Sequence, residues 1–103
     1  MKIIKAEDLP GLIANDTTAV QFSATWCGPC KTLTRTIEAH ETTFEVPFYK
    51  VDIDDARELA ASLSIRSVPT LILFRKGQEV HRVIGDKSLG QLREFIDNPP
   101  TTE

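Results

Sequence analysis

The stretch Thr25-Trp26-Cys27-Gly28-Pro29-Cys30-Lys31 contains both cysteines and the single tryptophan of this 103-residue chain. Two thiols three positions apart can clip a metal, staple the chain or trade electrons. A structural zinc needs four ligands, and beyond the pair there are only His40 and His81, in none of the usual finger spacings. A staple across two intervening residues closes too small a loop to restrain much of the unfolded chain. Inert buried cysteines are the bland reading, and adjacent Trp, Gly and Pro at a strand-to-helix junction argue against it. Exchange fits the spacing better. At the head of a helix, Cys27 faces unpaired backbone N–H groups and the positive end of the helix dipole, which favour thiolate over thiol. Open to solvent there, it can attack a partner's disulfide, after which Cys30 attacks Cys27 and releases the reduced partner. Gly28 leaves the turn free and bare, while Pro29 fixes one dihedral and limits the motion of Cys30.

The other side chains offer no competing chemistry. Serines and threonines are plentiful without a nucleophile elbow, and no glycine-rich phosphate loop occurs. The carboxylates are dispersed as caps and surface charges. His40 falls on the apolar stripe Leu33, Ile37, Phe44, so it reads as a half-buried packing residue, and His81 as a strand surface residue. A length of 103 residues suits one domain, 1–103, that hides roughly two thirds of the surface of the open chain. With 41% hydrophobic and 26% charged residues and a formal charge of -3, the chain lacks the basic clusters of a nucleic-acid binder. No apolar run approaches the roughly 20 residues of a membrane helix. The opening MKIIKAEDLPGLIA places Lys2, Lys5, Glu7 and Asp8 among its apolar positions, unlike a secretory signal. A cytoplasmic setting is therefore expected, where a structural disulfide does not persist.

Nine elements must hold the thiols in place. KIIK (2–5) is a short strand, followed by a helix on Leu9, Leu12 and Ile13 with Pro10 in its first turn. TAVQFSA (18–24) alternates Val20, Phe22 and Ala24 against Ala19, Gln21 and Ser23, a strand that runs straight into the cysteines. From Pro29, the residues Leu33, Ile37, His40 and Phe44 mark a helix of about four turns. VPFYKVDI is the next strand, and Asp55 with Glu58 forms a capping box before a short helix on Leu59, Ala60 and Leu63. IRSVPTLILF, the turn Arg75-Lys76-Gly77-Gln78 and EVHRVIG make an antiparallel hairpin. Ser88 and Gln91 box the start of a last helix on Leu89, Leu92 and Ile96, which Asn98-Pro99-Pro100 ends before a frayed TTE. The order β-α-β-α-β-α-β-β-α predicts an α/β fold: a largely parallel sheet with helices on both faces and one antiparallel edge hairpin.

With WCGPCK after a strand and SVPT ahead of a later one, the chain resembles the thioredoxin family nearly end to end. The resemblance implies a central mixed β-sheet flanked by four helices, and an activity that reduces protein disulfides. Electrons would come from a flavoprotein thioredoxin reductase or an equivalent dithiol reductant. The dithiol is itself the active group, so no bound cofactor and no metal are expected; the partners are disulfide-containing target proteins, and the chain acts as a monomer. By the same resemblance Cys27 attacks, Cys30 resolves and Pro69 is a cis-proline facing them. The resemblance also implies that the backbone of Val68 pairs with an extended substrate strand and that Trp26, Gly28, Pro29, Val68, Pro69, Ile84 and Gly85 make the apolar docking surface.

The departures are as informative. Gln21 occupies the position of a buried aspartate that in the family accepts a proton from the resolving thiol, and an amide cannot do so. Lys50, in FYKVDI, matches the lysine beside that aspartate and joins the catalytic group. Without the carboxylate, a cation behind the thiols favours thiolate and stabilises the reduced form. The wild-type pair is then more oxidising than its Gln21→Asp variant. Reduction potentials of the two proteins, equilibrated in the same thiol buffer, check this; an equal or higher value in the variant contradicts it.

Overall fold

The computed structural model of the chain describes residues 1–14 and 16–98. It contains five strands and four helices: β1 (Lys2–Ile3), α1 (Leu9–Ile13), β2 (Thr18–Ser23), α2 (Gly28–His40), β3 (Phe48–Asp52), α3 (Arg57–Ser62), β4 (Thr70–Arg75), β5 (Gln78–Ile84) and α4 (Leu89–Asp97). The strands form one sheet in the order β1-β3-β2-β4-β5. All six residues of β2 are buried, because it lies mid-sheet with helices against both faces. Its alternation sorts the core into two layers. Val20 and Phe22 pack with Leu9, Val51, Ala56 and Ile72 on the α1 and α3 side. Ala19 packs with Leu33, Ile37, Leu71, Leu92 and Phe95 on the α2 and α4 side.

The sheet is less parallel than the alternating order suggested. β1 and β2 run parallel to β3, but β4 is antiparallel to both β2 and β5, so the reversal reaches the centre of the sheet. After β3 the chain passes through α3 and the segment that ends at Pro69, and enters β4 beside the end of β2, with Thr70 opposite Phe22.

Local signals mostly hold. Pro10 lies in the first turn of α1, where a missing N–H costs nothing. Ser88 Oγ accepts the Gln91 N–H (3.2 Å) and Gln91 Oε1 accepts the Ser88 N–H (2.9 Å), closing the expected box. Lys76 and Gly77 link β4 to β5 with φ of 50° and 83°, the two positive values a tight hairpin turn takes. Glu79 receives two hydrogen bonds from Arg82, which hold that guanidinium above its usual value, and Arg82 Nη2 also donates to the Leu63 carbonyl (2.9 Å).

Four readings change. Asp55 does not cap α3: it ends a 3-10 turn (Ile53–Asp55), the cap position is Ala56, and Asp52 accepts the Asp54 N–H at 2.9 Å. α2 stops at His40, short of Phe44, and tightens into a 3-10 turn (Glu41–Thr43) in which the Thr43 hydroxyl donates to the His40 carbonyl (2.7 Å). Phe44 still packs in that layer, 5.2 Å from the Phe48 ring. On α4, Phe95 is buried with Leu92, and Leu89 and Ile96 flank them half-buried. His81 is half-buried against Phe95 (ring centroids 5.3 Å), not on the open strand surface. The residues expected to stop and fray the last helix, Pro99 to Glu103, lie outside the described residues.

Leu33 is fully buried between α2 and the sheet. Leu33→Ala is expected to cost about 3 kcal/mol, from lost transfer energy and the cavity left behind. A urea titration showing a lower midpoint with an unchanged slope checks this.

Candidate active site

β2 ends at Ser23, and the chain turns through Ala24 and Thr25 so that the Cys27 N–H donates to the Ala24 carbonyl (3.2 Å). Cys27 is extended (φ -97°, ψ 111°) and forms the N-cap of α2, with Pro29 in the first turn. The Cys30 N–H donates to Cys27 Sγ at 3.1 Å. Sulfur 27 thus takes the place of the oxygen that normally caps a helix, and satisfies one of its orphan donors. The two sulfurs are joined in a disulfide with Cα atoms 5.3 Å apart. Cys27 is less open than the sequence suggested. It is 5% exposed and Cys30 1%, because Ala24, Ile53 and Val68 close over the pair.

The cover comes from the loop before β4. The Val68–Pro69 peptide bond is cis, as the resemblance implies, and the Val68 carbonyl oxygen lies 3.7 Å from Cys27 Sγ. The Gly85 N–H donates to the Pro69 carbonyl (2.9 Å), and Gly85 takes a φ of 93° that a side chain would resist. Around the sulfurs, Trp26 is 68% and Ile84 56% exposed, with Gly28 and Pro29 exposed beside them. Val68 and Gly85 are half-buried, while Pro69 is buried and shapes the surface from beneath. Trp26 Nε1 donates to Asp54 Oδ2 (3.0 Å), a contact absent from the sequence reading because residues 26 and 54 meet only through the sheet.

Behind the pair lies a polar layer. Gln21, fully buried, donates from Nε2 to the Cys30 carbonyl (3.1 Å) and accepts from Thr34 Oγ1 through Oε1 (3.1 Å). Lys50 is opposite Gln21 in the β2–β3 pairing and half-buried. It lines an open-sided cavity of about 710 Å³ together with Thr34, Lys31, Arg35, Asp52 and Asp55. Lys50 enters no ion pair among the described residues, yet two carboxylates share its cavity, so the cation is not alone behind the thiols. Thr34 was not foreseen. Its position four residues after Cys30 on the helix face toward β2 was the available signal.

The residues singled out in the sequence therefore converge on one end of the sheet, where a sulfur pair at a helix head meets a cis-proline loop. A model of the family described as Thioredoxin matches residues 3–98. A thioredoxin of Chlamydia caviae is 41% identical over 98 residues, covering 94% of this chain and 96% of that protein. One of Mycobacterium bovis is 41% identical over 92 residues, covering 86% of this chain and 79% of that protein. The X-ray structure of Fasciola hepatica thioredoxin has a TM-score of 0.86 at 36% identity, covering 97% of this chain and 100% of that one. The chain belongs to the thioredoxin family, and its Cys27–Cys30 pair makes it a thiol–disulfide oxidoreductase that works by dithiol–disulfide exchange.

Proposed function

We propose that the chain reduces disulfides in target proteins in two steps, with Cys27 as the attacking thiol and Cys30 as the resolving one. The observation that carries this division is the Cys30 N–H donating to Cys27 Sγ at 3.1 Å. A donor aimed at sulfur 27 at a helix head stabilises the thiolate there, and no matching donor reaches sulfur 30 among the described residues. The exposures, 5% against 1%, support the same order, since the attacking sulfur must be reached from outside. Attack forms the bond between Cys27 and the target sulfur and expels the target's second sulfur as thiolate. Cys30 then displaces the first, closing the Cys27–Cys30 disulfide.

The target docks on the surface of Trp26, Gly28, Pro29, Ile84 and Gly85, with Pro69 below. Val68 offers its main chain to an extended target strand. Among the described residues no backbone group bonds the Val68 N–H, which leaves it for such a strand. Lys50 contributes a positive charge that favours the ionised dithiol. The oxidised pair is returned to dithiol by a thioredoxin reductase or an equivalent dithiol reductant. We infer one domain acting as a monomer in the cytoplasm. In support, no helix among the described residues is long and apolar enough to cross a membrane.

Insulin reduction with dithiothreitol as donor checks the roles. Cys27→Ser is expected to fall to the uncatalysed rate. Cys30→Ser is expected to accumulate a mixed disulfide on Cys27 that mass spectrometry detects. In the reduced wild type, iodoacetamide should modify Cys27 first and faster at neutral pH than an ordinary free thiol; equal rates contradict the reading.

A further inference from the structure

Gln21 is a buried polar side chain with both ends of its amide engaged, on the residue that follows Cys27 in the exchange. A carbonyl oxygen can only accept, so the Nε2 end must face the Cys30 carbonyl, 3.1 Å away. Thr34 Oγ1 donates to the other end at 3.1 Å, so both ends of the amide are held in place. Gln21 itself is held on both sides, opposite Lys50 of β3 and Leu71 of β4. Cys30, by contrast, is the third residue of α2. The N–H groups of a first turn have no carbonyl partners within the helix, and Pro29 supplies none at all, so the Cys30 N–H relies on Cys27 Sγ. Among the described residues the Gln21 bond is the side-chain contact that joins the Cys30 main chain to β2.

We propose that Gln21, oriented by Thr34, is a positioning residue for the resolving step. It ties the Cys30 main chain to the rigid centre of the sheet while the Cys27–Cys30 bond is open, so that sulfur 30 stays in reach of sulfur 27. Cys30 thiolate then attacks Cys27 Sγ, the Cys27–Cys30 bond forms, and the target's sulfur leaves as thiolate. Small displacements at such a step carry large rate penalties, because the reaction depends on holding the two atoms close and aligned. An amide carries no charge at any working pH, so the tie does not titrate. The proposal rests on Cys30 being the resolving thiol, and the test separates the two.

The reduced protein is mixed with one equivalent of a symmetric aromatic disulfide, which releases one coloured thiolate on attack and a second on resolution. Cys30→Ser should show the first release only; a second release there overturns the role of Cys30 and the proposal with it. Gln21→Leu should keep the first rate within about twofold and slow the second about tenfold, the effect of one ordinary hydrogen bond. Thr34→Val should slow resolution less, and Thr34→Ser should restore it. Gln21→Glu keeps the reach but donates only when protonated. Its resolution rate, divided by that of the wild type at each pH, should fall as pH rises. A role in stability alone would lower the melting temperature and leave that ratio flat with pH, which overturns the proposal. Wild-type resolution in Gln21→Leu, or a Gln21→Glu ratio that climbs with pH, overturns the proposal. Should Gln21→Leu not fold, Thr34→Val and Gln21→Glu carry the test.

Discussion

A backbone donor aimed at sulfur, the Cys30 N–H on Cys27 Sγ, is the contact on which the rest of this site depends. It exists because β2 ends at Ser23 and α2 begins at Gly28, so only four residues remain to reverse the chain. That short reversal leaves Cys27 as the N-cap with extended backbone, and the Cys30 N–H of the first turn meets its side chain. Oxygen of serine or aspartate does this service in most helices. Here a sulfur does, and on the proposed reading the same donor that serves the helix end favours the ionised sulfur once the disulfide is opened.

The second constraint is where the cover comes from. Because β4 runs antiparallel to β2, it starts at the end of the sheet where β2 finishes. The loop with the cis Val68–Pro69 bond is therefore delivered to the thiols, and β5, returning beside β4, brings Ile84 and Gly85 to the same rim. Trp26 and Ile84 remain largely exposed there. The proposed docking of a target rests on this apolar rim around a nearly closed sulfur pair.

The third is the treatment of a buried polar group. Removing an amide from water without partners costs a few kcal/mol, and Gln21 avoids that by bonding Cys30 and Thr34. Among the described residues no buried side-chain nitrogen or oxygen lacks a partner. A neutral group behind the thiols leaves charge in the cavity to Lys50 and its neighbours, including Asp52 and Asp55.

Much of this was legible in residue order. The spacing of Cys27 and Cys30, the strand before them and Pro29 after them locate the chemistry, because helix starts and strand periods are local properties. The Ser88–Gln91 box and the Lys76-Gly77 turn could be read for the same reason. What residue order could not reveal lies in contacts between distant segments. The central antiparallel pairing of β4, the burial of Cys27 beneath Val68, the Trp26–Asp54 bond and the Gln21–Thr34–Cys30 arrangement each need the sheet to be assembled first. Even Asp55, a cap by its sequence, lost that role to a turn set by Asp52. Local pattern determined where the thiols lie; the packing of β2 against α2, and of the Pro69 loop over the pair, decided how far the sulfurs are covered and what the Cys30 main chain bonds, because only three dimensions bring residues 21, 30 and 34 within bonding distance and Val68 against Cys27.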